Sequence, residues 1–271
     1  MRMPGLYYDP QFLTEENATA IRKWLSELWP IWEQRYSNHR PPPKGESQRW
    51  LLRPVYWLGN WQFACLDYYR PPRGIHHRCV RAEPYPPFLD RLVKKMEKLT
   101  RQTFKPKDIP PGWKLNTCLI NFYGSHTKDE KTVDVARVGE HKDFEPGPVA
   151  SLSLGERAVF QFVESRGRGF PSRVVFQQWL EDGSLQVFGG ERYKQHLFHR
   201  VQRVEKKGGH FFPIQVENFK TRRVNFTFRF VPDEHILPIR EFPRPLREDL
   251  LPYLNELAQH SAYFASEIKN I

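Results

Sequence analysis

The sequence predicts a mainly β protein with flanking helices, its strands arranged as an antiparallel sandwich or jelly roll. Three observations carry this. From Asn116 to Val231 the chain breaks into short strand-like runs separated by glycine turns. One run, Arg223-Val224-Asn225-Phe226-Thr227-Phe228-Arg229, alternates polar and apolar residues with the period of a β-strand. Helical stripes of apolar residues flank this region on both sides.

Taken in order, Thr14 opens the first helix. Ile21, Trp24, Leu25, Leu28 and Trp29 follow at helical spacing, and Pro30 stops it. The run Arg40-Pro41-Pro42-Pro43-Lys44-Gly45 is too rich in proline for regular structure. Trp50 to Tyr69 is dense in Trp, Tyr and Leu and reads as one or two strands turning near Gly59-Asn60, broken by Pro71 and Pro72. A second helix carries Phe88, Leu89, Leu92, Val93, Met96 and Leu99 on one stripe, with Lys94, Lys95 and Lys98 opposite. The strand-like runs are Cys118 to Tyr123, Val149 to Leu154, Ala158 to Val163, Val174 to Trp179, Leu185 to Phe188 and Val224 to Val231. The two upstream helices are expected to cover one outer face of these strands. After a proline-rich stretch from Pro232 to Pro245, Leu246, Leu250, Tyr253, Leu254 and Leu257 form the stripe of one final helix packed on the body.

Composition narrows the function classes. The 271 residues suffice for one large domain or two small ones. Aromatics make up 14%, enough rings for a substantial core, which argues against disorder over most of the chain. A net charge of +11 favours a polyanionic partner, most simply nucleic acid, over a merely soluble basic surface. Cys65, Cys79 and Cys118 are odd in number and widely spaced, which argues against a disulfide framework or a CxxC zinc site. A reducing, intracellular compartment fits: cytoplasm, or nucleus in a eukaryote. Met1 to Pro10 has no basic segment leading into an apolar run, so no signal peptide is expected, and no apolar stretch is long enough to span a bilayer.

The residues that bear chemistry are His141, Asp143 and His199. In an extended segment His141 and Asp143 point the same way. Alone, an HxD triplet reads better as two loop residues bonded to backbone, and His199 as a satisfied core histidine among Leu197, Phe198 and Val201. Joined to the polar face of the alternating strand, they favour a metal site. Two imidazoles and a carboxylate suit Fe(II) and leave three positions free. A 2-oxo acid can chelate two of these and dioxygen can take the third. The far carboxylate of that acid needs a cation, which a strand arginine supplies. Arg223, Asn225, Thr227 and Arg229 would then face inward, and Val224, Phe226 and Phe228 would pack outward beneath another layer, so that both faces are buried.

Together these motifs resemble the AlkB family of Fe(II)- and 2-oxoglutarate-dependent dioxygenases. The matching residues are Asn121-Phe122-Tyr123, His141 with Asp143, and Ser151-Leu152-Ser153-Leu154-Gly155. They continue through Phe160-Gln161-Phe162, Asp182-Gly183-Ser184-Leu185, His199 and the RxNxTxR run of Arg223, Asn225, Thr227 and Arg229. The RxNxTxR run joined to HxD and a distal histidine marks this family, whereas HxD…H alone marks the wider superfamily. The resemblance implies a double-stranded β-helix, the jelly roll, with iron on His141, Asp143 and His199. It implies that Asn121, Tyr123, Arg223, Asn225 and Arg229 hold 2-oxoglutarate, Arg223 on the far carboxylate and Arg229 nearer Asp143. The chain is expected to divide into N-terminal helices and a nucleotide-recognition lid at 1–115, a core at 116–232 and a tail at 233–271, all one structural domain, although the region before Asn116 aligns poorly with the family and the last helix has no counterpart in it.

The family reaction converts 2-oxoglutarate to succinate and hydroxylates an N-alkyl group, and the hemiaminal falls apart to an aldehyde and a repaired base. The implied partner is alkylated DNA, single-stranded or duplex, with RNA as an alternative, and the protein is expected to be a monomer with no membrane association. A base must leave its stack to reach a buried iron. By position, Trp61 resembles the family's base-stacking aromatic and Tyr68 its lid tyrosine, although both read equally as core. Glu145, two residues past the HxD, matches an acidic residue that reads the base edge. Arg166 and Arg168, and Lys206 and Lys207, resemble two basic loops that grip DNA. The connector from Tyr123 to His141 is longer than in the family, and Gln177 stands where an arginine is often found. Two other readings compete: a 2-oxoglutarate oxygenase acting on RNA modifications or a protein side chain, and a non-enzymatic basic nucleic-acid-binding module.

Overall fold

A computed structural model describes residues 1–35, 49–50, 53–62, 79–128, 130–135, 137–143, 145–165, 167, 170–202, 211–242 and 244–271. The alternating strand extends from Phe219 to Arg229 and lies inside the larger of the two main antiparallel sheets. Val149–Gly155 pairs with it on one side and Thr117–Lys128 on the other. Beyond these lie Leu185–Phe188, Leu6–Asp9 and Arg2–Met3 at one edge and Val55–Leu58 at the other. The smaller sheet runs Val138–His141, Phe198–Gln202, Ala158–Glu164 and Arg173–Leu180. Side chains from both sheets share one core, where Val149 and Phe188 pack with Phe160, Phe162 and Val201. This is the jelly roll, mainly β with flanking helices.

Both faces of the central strand are buried. Val224, Phe226 and Phe228 are completely enclosed, and Arg223, Asn225 and Arg229 are buried on the other side. The apolar face lies beneath the first two helices. Ile21, Leu25, Leu89, Leu92, Val93 and Met96 join Val224, Phe226 and Phe228 in one core, and the Trp24 ring lies 6.4 Å from that of Phe226. The first helix, Glu15–Leu25, is capped by Thr14, whose hydroxyl accepts the Asn17 N–H at 3.3 Å. It ends one turn earlier than expected. Ser26 turns its hydroxyl back onto the Lys23 carbonyl at 2.6 Å, so Leu28 and Trp29 lie beyond the helix. The second helix, Pro87–Thr103, starts with proline at its first position and leaves Lys94, Lys95 and Lys98 exposed.

The long connector before His141 is an ordered hairpin. Thr117–Lys128 runs on past Tyr123 and pairs with Lys131–Asp134, with Glu130 at a φ of 62° in the turn. At the opposite end of the pairing, the central strand has a bulge between Thr221 and Arg223. Gly124 faces it, and a Cβ there would lie 1.8 Å from the Lys220 carbonyl oxygen, so only glycine admits the close approach. The inserted Arg222 is buried, donating to Ser125 Oγ at 2.5 Å and lying 3.2 Å from Asp134 and 3.3 Å from Glu156.

The tail differs from the single helix expected. Arg244–Ala258 is followed by a second helix, Ala262–Ile268, because Ser261 breaks the first and caps the next by accepting the Phe264 N–H. Leu250, Tyr253, Leu254, Leu257 and Phe264 are buried in the main core. Ile236–Leu237 pairs in parallel with Cys79–Arg81, which pairs in turn with Asn60–Trp61 and ties the tail to the segment ahead of the jelly roll. Among the described residues, no helix is long and apolar enough to cross a membrane.

Phe226 is the plainest test of this packing. Phe226→Ala should lower the unfolding free energy by about 3–5 kcal/mol through transfer and cavity terms, read from urea denaturation. A loss near zero would mean that the helical layer does not enclose this face.

Candidate active site

Cross-strand register brings the two histidines together. His141 ends one strand of the smaller sheet directly opposite His199, with ring centroids 4.2 Å apart. Asp143 follows just past the strand end. The ligand atoms of the three residues lie within 4.8 Å of one another. His141 Nδ1 donates to the Gly139 carbonyl at 2.9 Å, which leaves the Nε2 lone pair available to an ion. His199 Nε2 lies 3.3 Å from Asp143 Oδ2. Phe160 stacks on the His199 ring at 5.4 Å and Phe188 abuts it at 5.0 Å, so its orientation is fixed by aromatic packing.

The electrostatics prepare these groups for a cation. Burial by itself raises the Asp143 carboxyl, but Arg229 and His199 outweigh it and hold Asp143 well below the ordinary carboxylate range. The Arg229 Nε donates to Oδ1 at 2.9 Å and Nη2 lies 2.8 Å from the same oxygen. Oδ2 is buried and accepts no hydrogen bond. Burial, reinforced by His199, brings His141 down to about 3, so its ring is neutral at physiological pH. A buried carboxylate oxygen without a hydrogen bond, beside imidazole nitrogens, fits a divalent transition ion.

The residues expected to hold the cosubstrate line the inner face of the central strand. Arg223 donates to Ser153 Oγ at 3.1 Å, while its Nε and Nη1 are buried without hydrogen-bond partners. Burial lowers its pKa from the ordinary arginine value. Asn225 donates to Ser151 Oγ at 2.8 Å and to the Leu152 carbonyl at 3.1 Å, and accepts from Thr227 Oγ1 at 2.9 Å. Asn121 and Tyr123 are buried on the adjacent strand. A guanidinium with two free nitrogens, at the inner wall of a jelly roll, fits the far carboxylate of a 2-oxo acid.

The model of the 2OG-Fe(II) oxygenase superfamily matches residues 5–229, and 2OG is 2-oxoglutarate. The chain belongs to this superfamily. This oxygenase is therefore a dioxygenase that uses Fe(II), 2-oxoglutarate and O2, and the AlkB resemblance of its motifs lies within that group. No curated protein matches it. Among solved structures it is similar to OsALKBH1, with 20% identity over 85% of this chain and all of that one and a TM-score of 0.47. It is also similar to SnoN, an α-ketoglutarate-dependent epimerase from nogalamycin biosynthesis, with 10% identity over 83% of this chain and 78% of that one and a TM-score of 0.39. The ribosomal oxygenase YcfD from Escherichia coli shares 11% identity over 97% of this chain and 66% of its own, with a TM-score of 0.33. When bound, the iron, cosubstrate and dioxygen supply the oxidising chemistry, and the protein supplies orientation and electrostatics.

On the substrate side the expectations divide. Glu145 is buried beside the metal ligands. Its Oε1 accepts from Gln62 Nε2 at 2.8 Å and lies 3.5 Å from Arg229 Nε. Trp61, expected to stack on a base, is instead a core residue. It is completely enclosed, donates to Glu33 at 2.8 Å, and meets Tyr253 and Phe264 of the tail helices edge-on. No base can stack on a ring covered on its sides by tail aromatics. Tyr68, Arg166, Arg168, Lys206 and Lys207 lie outside the described residues. Gln177 pairs across the strands with Gln161, whose Nε2 donates to it at 3.2 Å.

Arg53 is the residue that sequence reasoning missed at the cosubstrate end. Its Nε donates to Asn121 Oδ1 at 2.7 Å, and its guanidinium lies 5.3 Å from the Tyr123 ring centre, with Arg223 at 4.8 Å from the same ring. It sits two residues before Val55, which is in register with Asn121. Only that pairing, across 68 residues of chain, could have revealed it.

Three outcomes are expected. Anaerobic Fe(II) with 2-oxoglutarate should give a weak visible charge-transfer band, absent from His199→Ala. Arg223→Met should weaken 2-oxoglutarate binding about 10- to 100-fold, the value of charge-assisted hydrogen bonds, in a titration of that band. The metal-free protein should also lose stability as pH falls from 6.5 towards 3. An unfolded chain protonates His141 near 6.5, whereas the folded protein resists until about 3, so the unfolded state binds more protons across that window. Asp143, with its depressed carboxyl, acts in the same direction at the acid end. The His141 ring is only half-buried, so the slope should fall short of the about 1.4 kcal/mol per pH unit of a full proton. Urea unfolding at stepped pH, with His141→Asn as the comparison, reads this directly.

Proposed function

We propose that this 2OG-Fe(II) oxygenase removes N-alkyl groups from nucleic-acid bases, as AlkB-family enzymes do. Glu145 carries the reading. Its Oε2 is buried without a hydrogen-bond partner beside the metal ligands, while Oε1 is already held by Gln62. A buried acceptor at that place suits the exocyclic amine of a flipped base. The RxNxTxR run and the net charge of +11 support it further, since a polyanion must be drawn to the site.

The reaction is hydroxylation of the alkyl carbon attached to nitrogen. One oxygen atom of O2 enters the C–H bond and the other leaves in succinate as 2-oxoglutarate loses CO2. The hemiaminal then breaks its C–N bond, the carbon departs as an aldehyde, and the nitrogen takes the hydroxyl proton. Asp143, His141 and His199 would hold the metal that supplies this chemistry, Arg223 would orient the cosubstrate, and Glu145 would orient the base.

Succinate release is the test, with 1-methyladenine, 3-methylcytosine or 1-methylguanine presented in single-stranded DNA, duplex DNA and RNA. At least one should stimulate turnover, and stimulation by none would sink the demethylase reading. Glu145→Ala should lose discrimination among bases more than it loses iron binding, as judged by the visible band. Binding to the preferred strand should weaken steeply with salt.

A further inference from the structure

Arg53 is a cation at the inner wall of the larger sheet, and it forms no ion pair among the described residues. Its place is set by the edge strand Val55–Leu58. Val55 lies in register with Asn121, and the Pro54 carbonyl accepts the Phe122 N–H at 3.1 Å. One residue further back, Arg53 comes alongside Tyr123, its guanidinium 5.3 Å from the ring centre. Arg223 approaches the same ring to 4.8 Å from the central strand. Arg53 therefore stands beside the residues expected to hold the cosubstrate. Its one hydrogen bond among the described residues runs from Nε to Asn121 Oδ1, at 2.7 Å.

That bond decides what Asn121 offers. A side-chain amide has an accepting oxygen and a donating nitrogen, and its neighbours settle which way round it sits. A guanidinium only donates, so the oxygen of Asn121 must face Arg53. The Nδ2 nitrogen is left over, and among the described residues nothing accepts from it. Asn225 lies opposite Asn121 on the central strand, but its own nitrogen is bonded to Ser151 and to the Leu152 carbonyl. Among the described residues, Arg53 alone fixes the Asn121 amide. Without it the amide is free to turn, and an oxygen turned towards a carboxylate repels it.

We propose that Arg53 is a positioning residue for the cosubstrate. It holds the Asn121 oxygen, so that Nδ2 is presented as a donor to a carboxylate oxygen of 2-oxoglutarate. The inference rests on Asn121 facing the cosubstrate, as the family resemblance implies, and is independent of the substrate that is oxidised.

The experiment is a titration of the anaerobic Fe(II) protein with 2-oxoglutarate, followed by the visible band. Arg53→Met should weaken binding about tenfold, the value of one charge-assisted hydrogen bond. The band should still reach full height at saturation, because the iron ligands are untouched. Arg53→Lys, which also only donates, should bind more tightly than the methionine variant. Asn121→Ala should weaken binding too. Adding Arg53→Met to it should then change binding by no more than about twofold, since a residue that acts through Asn121 has nothing left to position. A methionine variant that gives no band at any concentration is replaced by Arg53→Gln, whose amide can donate or accept and so does not fix its neighbour. Binding by Arg53→Met within about twofold of wild type, a lysine variant no better than methionine, or an equal loss with and without Asn121 overturns the inference. Unchanged binding by Asn121→Ala also overturns it, and does so by removing the expectation on which it rests.

Discussion

The structure depends on burying the polar face of the strand Phe219–Arg229. A central strand with its apolar face under two helices has no solvent side left, so its arginines must find anions or bear a desolvation cost of several kcal/mol each. Arg229 is paired with Asp143, and the inserted Arg222 with Asp134 and Glu156. Asn225 is satisfied by Ser151 and the Leu152 carbonyl. Arg223 is the exception, with one bond to Ser153 and two buried nitrogens over. A carboxylate bound at Arg223 would complete this set, and an anion that did so would stabilise the fold as well.

The same constraint shapes the metal ligands. Because Arg229 occupies Asp143 Oδ1, one oxygen remains to the ion, and the carboxylate is fixed in a single orientation before any ion arrives. The opposed register of His141 and His199 then supplies two imidazoles from neighbouring strands without help from a loop. Phe160 and Phe188 hold the second ring and keep water from it. Preorganisation here comes from backbone pairing and aromatic packing, the two least adjustable parts of a β fold.

What could be read in the sequence was local and periodic. The alternation from Arg223 to Arg229 is a strand in any context, and the HxD spacing puts two ligands on one side wherever it is extended. The bulge at Arg222 left no periodic trace, because one inserted residue between Thr221 and Arg223 resembles ordinary basic sequence. Trp61 was misplaced for a related reason: an aromatic that stacks on a base and one that fills a core have the same composition, and only the tail helices, 190 or more residues away, decide between them. The tail itself read as one stripe since Leu250, Tyr253, Leu254 and Leu257 do share a helix face, whereas the break is made by the single hydroxyl of Ser261. Arg53 reaches Asn121 through a long-range strand pairing that short-range patterns do not encode.

The unsatisfied groups of the site are sorted by direction and sign. Arg223, positive, lies on the inner wall of the central strand and calls for the cosubstrate's carboxylate. Asp143 Oδ2, negative, lies between the histidines and calls for the ion. Glu145 Oε2, also negative, is buried without a hydrogen-bond partner two residues past Asp143. Arg229 links the last two groups, since its guanidinium touches Asp143 and approaches Glu145 to 3.5 Å. One side chain thus positions a metal ligand and a second buried carboxylate. The two carboxylates are therefore held in one buried cluster centred on Arg229.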